Sequence, residues 1–118
     1  MKERINNLFK TIDSKDAAGF AAFLTEDASF KFANAPAVIG RQNIQDAVMA
    51  FFSSIKGLCH KISGIWEEGD FVICEGEVTY IKLDATELTL PFADILKVKG
   101  GLISDYRIYM DPCALYNK

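Results

Sequence analysis

Apolar residues recur with a helical period along the first third of the chain. Ile5, Leu8, Phe9 and Ile12 fall at i, i+3, i+4 and i+7, which puts one apolar stripe on a short N-terminal helix ending near Asp13. Asp13 and Ser14 are capping types. Ala17, Phe20, Ala21 and Leu24 repeat the spacing, so a second helix is predicted with almost no loop before it. Alternation replaces this period at Ala28-Ser29-Phe30-Lys31-Phe32, a short strand followed by turn chemistry from Asn34 to Pro36. Gly40-Arg41-Gln42-Asn43 opens a third helix whose wide apolar face carries Ile44, Val48, Phe51 and Phe52, and Gly57 closes it.

Beyond Leu58 the pattern is strand-like. Segments near 59–66, 70–82, 87–98 and 102–110 are separated by Glu68-Gly69-Asp70, Asp84-Ala85-Thr86 and Gly100-Gly101, and such short connections predict an antiparallel meander. In the second segment Val72, Cys74, Gly76, Val78 and Tyr80 share the face expected to cover the core, with Ile73, Glu75, Glu77 and Thr79 opposite. In the third, Leu90, Phe92, Asp94 and Leu96 share a face, which makes Asp94 the one carboxylate in an apolar row. In the last, Tyr106, Ile108 and Met110 oppose Asp105, Arg107 and Tyr109. The expected fold is an α+β cone, three N-terminal helices packed on one face of a strongly bent, mainly antiparallel sheet, in a single domain spanning residues 1–118.

Composition narrows the partners. Half of the 118 residues are hydrophobic, nine are Phe, and mean hydropathy is +0.11, so the chain can bury a core without metal or disulfide staples. Thirteen Lys and Arg against sixteen Asp and Glu give a net charge of −3, with the basic residues scattered, which argues against nucleic acid and anionic membrane as partners. Cys59, Cys74 and Cys113 show no CxxC spacing and His60 is the only histidine, so reduced cytosolic thiols, no structural metal and no cofactor are expected. The first thirteen residues are broken by charge and read as neither a signal peptide nor a membrane span, so a cytoplasmic location is expected.

The order helix, helix, short strand, helix, four-stranded meander, with LTEDASFKF, GRQNIQDAVMAFF and LPFADILKVKGGLISDYRIYMD, resembles the nuclear transport factor two-like superfamily. More narrowly the chain is similar to its SnoaL-like group, which includes polyketide cyclases, ketosteroid isomerases and limonene epoxide hydrolases. Function does not follow from that fold, because the same scaffold carries many sites. Carried across residue by residue, the isomerase's catalytic Asp and Tyr positions fall on Phe32 and Leu8, both apolar, while its oxyanion-hole acid falls on Asp94. The epoxide hydrolase's last-strand Asp position falls on Ile108, and neither Cys74, Gly76 and Val78 nor Glu75, Glu77 and Thr79 supply its Arg. Neither known catalytic set is retained.

Asp94 among Leu90, Phe92 and Leu96 is the sharpest candidate. A desolvated carboxyl there either stays protonated and donates to a ligand oxygen, or pairs with Tyr106, backbone or a charged neighbour as a structural group. His60 would share a strand face with Ile62 and Trp66, where it supplies a general base or fills a rim position. Tyr106 and Tyr80 could orient a polar ligand group or merely pack. Trp66, Phe32, Phe52, Phe92 and Ile108 are expected to line the hollow of the cone. Cys74 lacks an evident base partner for nucleophilic work, and Arg107 is expected to pair with Glu75 or Glu77 on the outer face. Counting across the turns pairs residue 94 with about 76, and 76 with 60 or 61, placing His60, Gly76, Asp94 and Tyr106 near one line with open room above Gly76.

Three function classes fit these residues. The first is an enzyme doing proton-transfer chemistry (isomerisation, cyclisation or dehydration) on a small hydrophobic carbonyl compound, with Asp94 as acid or oxyanion donor and His60 as base. The second is a non-catalytic binder of a hydrophobic metabolite, and the third a dimeric interaction module. A cavity of roughly 300 Å³ or more holding both Asp94 and His60 separates the first two from the third. Ile73, Ile95 and Tyr109 among charged residues on the outer face predict a homodimer packed sheet to sheet.

Overall fold

The computed structural model describes residues 2–116. Its elements are α1 (Lys2–Asp13), α2 (Ala17–Ala21), β1 (Leu24–Phe32), β2 (Val38–Ile39), α3 (Arg41–Ser53), β3 (Gly57–Glu68), β4 (Phe71–Ile81), β5 (Glu87–Lys99), β6 (Leu102–Tyr109) and α4 (Cys113–Tyr116). The strands form one mixed sheet in the order β2-β1-β6-β5-β4-β3, antiparallel except for the parallel β1/β6 pair. Helices α1 to α3 cover its concave face, giving the α+β cone expected from the apolar pattern. No helix of the described residues is long and apolar enough to cross a membrane.

The predicted stripes are buried. Ile5, Leu8 and Phe9 of α1, Phe20 of α2 and Ile44, Val48 and Phe52 of α3 meet Val72, Val78, Leu96 and Tyr106 of the sheet. The second helix is shorter than its spacing predicts, because Leu24 is captured by the sheet: it pairs with Ile103, and its carbonyl accepts from the Arg41 guanidinium at 2.7 Å and 3.1 Å. Tertiary pairing outweighs local helical period there. Residues 38–39, between the predicted turn and the third helix, form β2 on the edge of β1. Gly40 starts α3 at φ 98°, a conformation that favours glycine.

Two features of register decide what faces the concave side. The turn between β4 and β5 is centred on Asp84, whose carboxylate accepts from the Thr86 amide and hydroxyl at 3.0 Å and 2.6 Å, and Ile81 pairs with Glu87. Asp94 therefore lies opposite Cys74, two residues from the expected partner, while Gly76 lies opposite Phe92. A slip of two keeps every side chain on its face. The second feature is a bulge in β3, where Ile62 pairs with Gly76 but Gly64 with Glu75, so the alternation flips at Ser63. Gly76 does not leave room for a ligand: a Cβ there would run into the Lys61 carbonyl oxygen, so the close backbone of β3 requires glycine.

Candidate functional site

The hollow between helices and sheet is a cavity of about 220 Å³. It is smaller than the roughly 300 Å³ expected, yet it contains both Asp94 and His60. Most of its wall is aromatic or aliphatic, including Phe32, Phe52, Phe92 and Ile108 as expected, and among the described residues no lysine or arginine lines it. Phe32, Ile108, Asp94 and Cys74 fall on one cross-strand row, because Phe32 pairs with Ile108, Ile108 with Asp94 and Asp94 with Cys74.

Trp66 does not line this cavity. The bulge turns it to the outer face, where it is 52% exposed and leans over Gly64. Ile65 takes the inward place opposite Cys74. Arg107 is also on the outer face, but it pairs with Asp105 two residues away, Nε and Nη2 lying 3.0 Å and 2.8 Å from Oδ2, and not with Glu75 or Glu77. The i, i+2 spacing on one strand face puts Asp105 nearer than any β4 carboxylate.

Asp94 is 2% exposed, and it is the buried charged-type side chain among the described residues. Its Oδ2 accepts from the Tyr106 hydroxyl at 3.4 Å, a long and weak bond, and its Oδ1 has no partner among the described residues. Desolvation pushes the carboxyl up to about 8, the Tyr106 hydroxyl pulling it down only in part. Asp94 is therefore mostly a neutral acid at pH 7, able to donate a proton or hydrogen bond into the cavity. Tyr106 is fully enclosed, its own hydroxyl held well above the usual range by burial and by Asp94. Tyr80 lines the wall further along β4, its hydroxyl 3.7 Å from Met110 Sδ and its ring edge-on to Phe51.

His60 enters from β3, the sheet edge away from β2. Its ring is held between Phe9 (4.8 Å) and Phe92 (5.3 Å), and its Nδ1 lies 2.6 Å from Asp13 Oδ1. The other Asp13 oxygen accepts from the His60 backbone N–H at 2.9 Å, a donor that an edge strand would otherwise leave open. A carboxylate can only accept, so Nδ1 carries a proton and donates to Asp13. One carboxylate thus fixes both the backbone and the tautomer of the imidazole.

Asp13 is the site residue that sequence reasoning missed, taking it for a cap. One signal was present: a carboxylate in the last turn of a helix opposes the macrodipole, so an Asp closing α1 calls for another partner. The two polar groups occupy different ends of the cavity. His60 is aligned through Val78 with Leu90, four residues before Asp94. That separates them by two strand spacings of about 4.8 Å across and by ~13 Å along β5, a gap that the concave curl and both side chains narrow.

Proteins of known structure share this fold. TerC, co-crystallised with polyporic acid, superposes with a TM-score of 0.85 at 17% identity over 97% of this chain and 93% of TerC. A protein of ketosteroid isomerase-like fold from Catenulispora acidiphila, in complex with trimethylamine, gives 0.82 at 17% identity over 89% of this chain and 82% of that one. An LEH-like epoxide hydrolase from M. tuberculosis gives 0.79 at 18% identity over 91% and 79%. At such identities the likeness is one of fold, the nuclear transport factor two-like cone. No curated protein matches the chain significantly. The SnoaL-like domain profile does match, over residues 5–106, and the chain belongs to that family.

Proposed function

We propose that this protein is an enzyme of proton transfer acting on a small, uncharged, hydrophobic carbonyl compound held in the cavity. The observation that carries this reading is the pairing of a carboxylate-oriented imidazole with a buried neutral acid in one otherwise apolar cavity. His60 Nε2 removes a proton from carbon, and Asp13 stabilises the imidazolium that forms. Asp94, with Tyr106 behind it, donates to the oxygen on which negative charge develops. The proton then returns from His60 to a second carbon in an isomerisation, or to a departing hydroxyl in a dehydration. Because the two groups lie at different ends, the reading favours a conjugated compound whose acidic carbon and oxygen are apart. The wall built by the described residues is apolar and holds no lysine or arginine, which favours neutral ligands over carboxylates and phosphates.

The test is proton exchange. The purified protein is incubated in D₂O with a panel of enones, quinones and cyclic ketones, and both ligand binding and loss of ligand C–H signal are followed by NMR. We expect exchange in at least one bound compound, slowed ~10²-fold or more in His60→Ala. Ligands that perturb cavity resonances without exchanging would leave the protein as a binder only.

We infer a homodimer from the outer face. Trp66, Ile73 and Ile95 are successive partners across β3, β4 and β5, so the residue turned out by the bulge completes an apolar row, flanked by the half-exposed Tyr109. Two copies packed sheet to sheet would cover that row. Sedimentation at micromolar concentration should give twice the 13.1 kDa chain mass, and Ile95→Lys should give a single chain. A wild-type mass of one chain would contradict the dimer.

A further inference from the structure

We propose that Cys74 is a positioning residue for Asp94, a thiol that fills the space opposite the carboxyl without giving Oδ1 a strong hydrogen-bond donor and so reserves that oxygen for a ligand. The inference rests on the reading of Asp94 as the ligand's donor. Cys74 and Asp94 are direct cross-strand partners on the inner face, 0% and 2% exposed, and Oδ1 is an orphan despite this neighbour. A buried carboxyl oxygen without a partner is costly, and a serine of nearly the same size at position 74 would supply one. A thiol donates weakly and behaves as a small apolar group.

No other group competes for the role. From β6 the carboxyl meets Tyr106, which engages Oδ2, and Ile108. The rows on either side, Val72 with Leu96 and Gly76 with Phe92, are apolar. Tyr80 lies further along β4, and His60 with Asp13 at the far end of the cavity; the faces that α2, α3 and β1 turn to the cavity carry no titratable side chain. Cys74 itself does not line the cavity, and burial together with Asp94 raises its thiol far above the ordinary range. It stays a neutral thiol and has no path to a ligand, so a nucleophilic role is excluded.

The experiment is an NMR titration of the Asp94 side-chain carboxyl carbon in the full chain, with no ligand, so its outcome is independent of whether the proposed chemistry occurs. In Cys74→Ser the hydroxyl donates to Oδ1 and stabilises the carboxylate, so the Asp94 proton should be held at least about tenfold less tightly than in the wild type. Cys74→Ala removes the sulfur without adding a donor, and its titration should stay within about threefold of the wild type. Equal shifts in both variants, or no shift in serine, would overturn the proposal. The infrared S–H stretch of the wild type adds a test without substitution: a weakly bonded thiol band is expected, and a band shifted by strong donation to the carboxyl would refute the assignment.

Discussion

Asp94→Asn is expected to stabilise the fold at pH 8, by up to about 5 kcal/mol, and to change it little at pH 4. Burial raises the folded-state carboxyl from the ordinary 3.8 to about 8, and each pH unit of that difference is worth about 1.4 kcal/mol. The folded state holds the proton more tightly than the unfolded chain does. Its contribution is fully present below 3.8, falls progressively as the pH rises, and is exhausted above about 8, where the fold must bury an anion. Asparagine keeps the shape and a donor but never ionises, so it escapes the loss. Urea unfolding of both proteins at pH 4, 6 and 8 should show a difference that widens with pH. A constant difference would mean that water or a partner solvates Asp94 in the folded state. This expectation concerns stability alone; the same substitution should impair the proposed chemistry, because an amide cannot deliver a proton to a developing oxyanion.

The sequence pattern was enough to place most of these residues on the inner face, because burial is periodic. Asp94 stood out as a carboxyl in an apolar row, and the structure buries it between Phe92 and Leu96 of its own strand, but its partner on the next strand is Ile108, with Tyr106 opposite Leu96 and not on the expected line. His60 likewise faces inward. What the pattern could not resolve was geometry that depends on single inserted or omitted residues. The turn centre at Asp84 moved Asp94 from Gly76 to Cys74, and the bulge at Ser63 sent Trp66 outward while leaving His60, on its other side, in place. Alternation is blind to both, since neither a turn centre nor a bulge leaves a mark in hydropathy. Asp13 was illegible for another reason: its partner is 47 residues away in sequence, and the contact exists only once α1 crosses the edge of β3.

That long-range contact sets the largest catalytic effect expected. Asp13→Asn should lower the exchange rate of a cavity-bound substrate ~10²- to 10³-fold, close to the loss in His60→Ala, although Asp13 lies behind the imidazole and does not border the cavity. An asparagine can still accept from the His60 backbone N–H through its carbonyl, which keeps α1 docked on β3. Its amide group then faces Nδ1, where it is a donor. The favoured tautomer moves the proton to Nε2, and the lone pair needed as base turns away from the ligand. The imidazolium also loses its counter-charge. Since the two residues act as one unit, the double variant should be scarcely slower than His60→Ala alone. Nitrogen NMR of the imidazole checks the tautomer without any substrate, with protonated Nδ1 expected in the wild type and protonated Nε2 in Asp13→Asn. An asparagine variant that changes tautomer yet keeps its exchange rate within threefold of the wild type would remove His60 from the chemistry and leave Asp94 as the acid–base group of the cavity.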